Sequence, residues 1–214
     1  MKIIAVNGSP RKNWNTARLL TAALEGAKAK GAETKIYHLY ELNYKGCQSC
    51  FTCKRLGSPL YGKCAMRDDL TDILNEIYEA DGLIMGSPIY FGSSTGEFRS
   101  FLERLLFPVK AYDNEKPSLL KKKIVSGLIY TMGVKDESVY MTERMITQRM
   151  LTQTFFAESE IMCHTDAYQF DDYSKYHCPA FNVEEKKAHY QEFDQELAKA
   201  GELGRRIAER ILEK

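Results

Sequence analysis

The stretch "IIAVNGSPRKNWNTARLL", Ile3 to Leu20, sets an unbroken apolar run against a polar turn with one glycine, and then against apolar residues spaced by three and four. A short run without alternation is what a strand covered on both faces requires, and that describes a strand of a parallel sheet. The residues that follow, Leu19, Leu20, Ala23, Leu24 and Ala27, fall on one face of a helix. Strand, tight polar turn and amphipathic helix make the first half of a βαβ unit.

The same alternation continues along the chain. Apolar runs recur at Leu83 to Met85 and Ile124 to Tyr130, and further strands are expected near Thr34 to Leu39 and Ile161 to Ala167. Helical stripes appear at Leu70, Ile73, Leu74, Ile77 and Tyr78, and again at Phe98, Phe101, Leu102, Leu105 and Leu106. A final helix is expected from about Glu184 to Leu212, with Tyr190, Phe193, Leu197, Ala200, Gly204, Ile207 and Ile211 as its core-facing seam. Five such units predict a doubly wound α/β domain with a five-stranded parallel sheet in the order 2-1-3-4-5 and helices on both faces. One domain is expected over residues 1–214, with a cysteine-rich insertion at about 44–67. Two long connections, 40–67 and 168–183, are candidates for function because long ordered loops in compact domains usually carry it.

Composition narrows the classes. Thirty basic and 29 acidic side chains leave a formal charge of +1, which argues against a general nucleic-acid or acidic-membrane partner. Lys121 to Lys123 reads as a solvated entrance to a strand. Only four apolar residues follow Lys2 before the first turn, too few for a signal-peptide core or a membrane span, so a cytoplasmic location is expected. In a reducing compartment, clustered cysteines are more often ligands or redox thiols than disulfides.

In a doubly wound sheet ligands bind beyond the carboxyl ends of the strands. The first turn brings Gly8 for a tight bend, hydroxyls at Ser9 and Thr16, the guanidinium of Arg11, and a helix N-terminus near Asn15. Neither G-x-G-x-x-G nor a Walker A pattern is present, and a hydroxyl-rich loop with one glycine suits a terminal monophosphate better than a pyrophosphate. The second turn, "GSPIYFGSSTGEF" from Gly86, combines a stiff Pro88, close-approach glycines at Gly92 and Gly96, and the flat faces of Tyr90 and Phe91, as a planar aromatic ligand needs. The third, "IYTMGV" from Ile129, adds a small glycine-containing turn. No H-E-x-x-H helix occurs. His164 is expected to pack within its strand, Asp68 and Asp69 to cap the helix after them, and Asp171 and Asp172 to border a pocket or a solvated turn.

"NGSPRKNWNTARLL", "CQSCFTCK…GKCAMRDDL" and "GSPIYFGSSTGEFRSFLERL" together resemble the NADPH-dependent FMN reductase family of flavodoxin-like proteins, in the branch similar to iron–sulfur flavoproteins. The resemblance covers about residues 1–133, with "QFDDYSKY" a fainter likeness beyond it. It implies an FMN phosphate at Ser9, Arg11, Asn15 and Thr16, an isoalloxazine ring at Pro88, Ile89, Tyr90, Phe91 and Gly92, and a closing turn at Thr131 to Gly133. Where the family commonly has a glycine before Asn-Thr, this chain has Trp14, set to cap the phosphate or to pack on a neighbouring subunit. The chemistry would belong to the flavin, so no side chain is expected to be catalytic. The resemblance further implies electrons from NADPH or NADH, or from a ferredoxin-type donor, passing to a small acceptor such as a quinone or free flavin. It also implies a homodimer or homotetramer, with Phe101 to Tyr112 as either an interface or a core helix and loop. The alternative is an electron carrier or redox sensor without a turnover substrate.

"CQSCFTCKRLGSPLYGKC" places Cys47, Cys50 and Cys53 at the spacing that wraps a small inorganic core, with Cys64 after ten more residues. In the iron–sulfur flavoproteins the last gap is shorter, and here the Ser-Pro turn and Gly62 must bring Cys64 back. Three readings stand open: a [4Fe–4S] cluster exchanging electrons with FMN, a zinc site on four thiolates, or metal-free thiols. Cys163 and Cys178 read as plain residues.

Overall fold

The computed structural model describes residues 1–213. Its element order is β1 (Lys2–Asn7), α1 (Asn15–Lys28), β2 (Glu33–His38), α2 (Leu70–Glu79), β3 (Gly82–Tyr90), β4 (Ser93–Ser94), α3 (Gly96–Leu106), β5 (Val125–Thr131), α4 (Met141–Phe155), β6 (Ser159–His164), α5 (Val183–Gln191) and α6 (Phe193–Leu212). The sheet runs β2-β1-β3-β5-β6, all parallel, while the two-residue β4 folds back antiparallel on the end of β3. Counting parallel strands alone, this is the expected order 2-1-3-4-5 with its switch point between β1 and β3.

Two apolar layers cover the sheet. One face packs against α2, α3 and α4 through residues such as Ile73, Phe98, Phe101, Leu105, Leu151 and Phe155; the other packs against α1 and α6 through Leu19, Leu20, Ala23, Leu203 and Ile207. Helices α1 and α6 pack backbone to backbone. A Cβ at Gly204 would lie 1.8 Å from the Ala23 carbonyl oxygen, so only glycine allows this approach. The contact fixes α1, and with it the turn that α1 opens from.

Three local expectations need correction. Strand β3 does not stop at Met85 but runs on to Tyr90, because Gly86, Ser87 and Pro88 continue the ladder with β5. Strand β1 pairs β3 only as far as Gly86, leaving one edge free where Pro88 costs no ladder bond. Strand β6 begins two residues before Ile161 and ends at His164, where the chain turns through Asp166 at φ +48°. The single helix expected from Glu184 to Leu212 is two helices meeting at Glu192. The break lets α5 bring buried Lys186 to Asp166 while α6 follows α1. In Phe101 to Tyr112, Phe101, Leu102 and Leu105 are buried in the protomer's own core, and Tyr112 is exposed.

Candidate functional site

The ends of β1, β3 and β5 meet at the switch point, and the turns after them form one cleft of about 200 Å³. It is lined by Ser9, Arg11, Trp14, Asn15, Thr16, Pro88, Ile89, Tyr90, Thr131, Met132, Gly133, Ala167, Tyr168 and Gln169. Nine of the eleven residues implicated in flavin binding from the sequence therefore stand together. Phe91 and Gly92 do not line it: Phe91, at φ +51°, is fully exposed at the hairpin tip.

The first turn is rigid through its own hydrogen bonds. Asn7 Oδ1 accepts from the Ser9 amide at 3.0 Å, Ser9 Oγ accepts from the Arg11 amide at 3.2 Å, and the Gly8 amide donates to the Gly86 carbonyl at 2.7 Å. Gly8 must be glycine, since a Cβ would meet the Phe98 ring at 2.7 Å. Thr95 ties the second turn to the first, its hydroxyl donating to the Gly8 carbonyl at 2.7 Å while its amide donates to Ser87 Oγ at 3.1 Å. Thr16 and Thr131 hydroxyls bond to one another at 2.9 Å, linking the first turn to the third.

Helix α1 starts after Trp14 with no side chain capping its first turn. The first N–H groups of a helix lack intrahelical partners and sit at the positive end of its dipole, which suits an anion. Asn15 is buried and its Oδ1 has no partner. The donors that fit a monophosphate group are the uncapped amides of α1, the Arg11 guanidinium and the hydroxyls of Ser9 and Thr16.

Sequence reasoning marked the connection 168–183 as a candidate for function but did not name Tyr168 and Gln169 as site residues. They cross the cleft mouth, their carbonyls accepting from Trp14 Nε1 at 3.0 Å, Asn15 Nδ2 at 2.9 Å and the Arg11 guanidinium. The fainter likeness "QFDDYSKY" begins at Gln169. Trp14 is thus a pin between the phosphate turn and this segment, with Arg11 against its ring at 5.4 Å. Behind it, Tyr168, Tyr173, Tyr190 and Phe193 form an aromatic stack. His164 is buried beside Phe193 as expected, and burial pushes its imidazole down to about 4.

A second, small cavity is lined by all four clustered cysteines, Cys47, Cys50, Cys53 and Cys64, with Glu103, Arg104 and Phe107 of the α3 end behind them. The ten-residue insertion returns the fourth sulfur: Gly62, at φ +77°, donates its amide to the Cys53 carbonyl at 2.9 Å, closing the excursion. Ser49 and Phe51 hold left-handed backbone at φ +53° and +57°, winding the first three cysteines about the cavity. Cys47 donates its amide to Glu103 at 3.0 Å, and Lys54 donates to the Pro108 carbonyl at 3.1 Å, so the insertion lies along α3. Hydrogen bonds from the Thr52 amide and hydroxyl lower the Cys50 thiol, whereas burial raises Cys53. Among the described residues no three His, Cys, Asp or Glu side chains converge on a point that would hold one metal ion. Four cysteines lining one small cavity are the donor types that an iron–sulfur cluster would take, and Cys47, Cys50, Cys53 and Cys64 would hold it.

Asp68 does more than cap. It accepts the Leu70 amide at 3.2 Å, and both its oxygens take the Arg104 guanidinium, at 2.8 and 3.1 Å. Asp69 makes no capping bond of its own.

A doubly wound parallel sheet in this order, with the turns after β1, β3 and β5 gathered at its switch point, defines a flavodoxin-like domain. The NADPH-dependent FMN reductase description matches residues 1–165, and the chain belongs to that family. Its curated relatives include an iron–sulfur flavoprotein of Methanocaldococcus jannaschii, 38% identical over 104 residues, covering 49% of this chain and 51% of that one. An iron–sulfur flavoprotein of Clostridioides difficile is 30% identical over 169 residues, covering 70% of this chain and 73% of that one. The match to the Methanocaldococcus protein thus spans about half its length. Among solved structures, an NAD(P)H:quinone oxidoreductase from Methanothermobacter marburgensis superposes with a TM-score of 0.66 at 15% identity, covering 96% of each chain, a likeness of fold. No helix among the described residues is long and apolar enough to cross a membrane.

Proposed function

We propose that this chain is an FMN-dependent oxidoreductase of one domain, taking electrons from NADPH or NADH and delivering them to a small acceptor such as a quinone or free flavin. The observation that carries the reading is the single cleft formed by Ser9, Arg11, Asn15, Thr16, Pro88, Ile89, Tyr90, Thr131 and Gly133. When bound, FMN supplies hydride acceptance and one-electron chemistry. The chain's own work is placement. Arg11, the hydroxyls of Ser9 and Thr16 and the uncapped start of α1 hold the phosphate, and the β3 end offers Ile89 and Tyr90 to the ring. The segment at Tyr168 and Gln169 limits water at the phosphate end.

The four cysteines support a [4Fe–4S] cluster as a second centre, through their shared cavity and the sulfur-rich names of the relatives. This centre also keeps alive a second reading, an iron–sulfur flavoprotein that serves as electron carrier for a ferredoxin-type donor. Homodimerisation is part of the proposal: Met141, Met145 and Ile146 of α4 are exposed, and the preceding Tyr140 ring packs against Gly92, next to exposed Phe91. Anaerobic mixing with NADPH, NADH or reduced ferredoxin, followed at the flavin absorbance, tests the assignment. Rapid bleaching by a nicotinamide supports the reductase; bleaching by ferredoxin alone rejects it in favour of the carrier.

A further inference from the structure

Arg104 is the largest fully buried side chain among the described residues, and it lines the cysteine cavity. A buried cation is expensive unless something nearby uses or offsets its charge. Asp68 meets two of its nitrogens and the Lys45 carbonyl accepts from one of them at 2.9 Å, yet Nε is buried with no partner. The two members of the ion pair are unequally placed. The Arg104 side chain is 0% exposed and that of Asp68 is 16% exposed, so solvent reaches the carboxylate more than the guanidinium. Of the four thiols beside the pair, Cys53 is buried, Cys47 and Cys64 are half-buried and Cys50 is exposed. A pair serving only to join α3 to the start of α2 would not need to sit among four cysteines.

Resting on the reading of these cysteines as a cluster site, we propose that Arg104 is a positioning residue for the four-cysteine centre. Its permanent buried charge offsets the negative charge of a thiolate-held cluster and raises its reduction potential. Asp68 sets how much of that charge the centre feels. The levers on an iron–sulfur potential include net charge and solvent exposure near the sulfurs, and Arg104 supplies a fixed positive charge out of solvent.

The two residues therefore act in opposite directions. Removing the cation with Arg104→Gln lowers the midpoint of the iron centre. Keeping the charge with Arg104→Lys restores it toward the wild-type value. Removing the counter-charge with Asp68→Asn exposes the centre to the whole guanidinium charge and raises the midpoint. The experiment is an anaerobic spectroelectrochemical titration of the full chain, wild type and variants, with iron and acid-labile sulfide measured on each and the flavin midpoint as internal reference. Opposite shifts in Arg104→Gln and Asp68→Asn, with an unmoved flavin midpoint, support the proposal. If Arg104→Gln does not fold, the rise in Asp68→Asn carries the test alone. An unchanged iron midpoint, or shifts of the same sign in both variants, overturns the proposal while leaving the cluster in place. Wild-type protein without iron removes the cluster reading, and this inference with it.

Discussion

Replacing Gly204 by alanine tests how the α1–α6 contact holds the phosphate turn. A Cβ there would lie 1.8 Å from the Ala23 carbonyl oxygen, and real Cβ contacts essentially never fall under 3.0 Å, so the helices must part by about 1.2 Å or more. Alanine in a helix interior gains about 1 kcal/mol over glycine. Overpacking a well-packed core typically costs about 1–3 kcal/mol. The obstacle is backbone on a helix held by Leu19, Leu20 and Ala23, with no rotamer to escape into, so the cost belongs at or above the top of that range. The net is a loss of about 2 kcal/mol, a fall of roughly 4–8 °C in Tm for a chain of this size. Because α1 opens at the phosphate turn, flavin retention should weaken too. Thermal unfolding by circular dichroism reads the first effect and fluorescence of released flavin the second. A Gly204→Ala protein as stable as wild type would refute the packing argument.

Other outcomes follow from single contacts. Trp14→Phe removes the donor to the Tyr168 carbonyl while keeping an aromatic ring. At about 0.5–1.5 kcal/mol for such a bond, FMN titrated into flavin-free protein should bind roughly 2- to 10-fold more weakly. Glu76 is held down to about 2, first by a hydrogen bond from Lys2 and then from Tyr37, against an ordinary 4.5. Its folded pKa is depressed, so its stabilisation is complete above the unfolded pKa and is lost as pH falls through 4.5 toward 2. Discounted for exposed lysine partners, it is worth about 1–2 kcal/mol. Urea midpoints should drop between pH 6 and pH 3 in wild type and drop less in Glu76→Gln. Cys64→Ser should lose iron and sulfide but keep its FMN, since Cys64 lines the cysteine cavity and not the cleft at the switch point. Phe91→Asp with Met145→Glu should turn a dimer into a monomer in sedimentation if α4 and the hairpin tip form the interface.

What the sequence made legible was local and periodic. Ile3 to Val6 and the stripe from Leu19 to Ala27 announce β1 and α1 because each repeats the pattern of its own burial. Nine of the eleven candidate residues come to one cleft because turns after strands carry their chemistry in short stretches. Phe91 was misplaced because β3 runs on to Tyr90 and tips the next residue outward at positive φ, which composition does not reveal. The role of Tyr168 and Gln169 depends on carbonyls, and every residue type has one. Arg104 and Asp68 stand 36 residues apart, each unremarkable beside its own helix, and only the fold joins them. The return of Cys64 needed the Gly62–Cys53 bond, a fact of backbone path rather than spacing.

A flavin held at the sheet's switch point beside a four-cysteine centre has a direct chemical signature. Anaerobically purified protein should be assayed for FMN, iron and acid-labile sulfide, with its visible spectrum. The account predicts about one FMN with about four irons and four sulfides per chain, and a flavin spectrum on a broad brown shoulder. A colourless protein that takes up no FMN would contradict it.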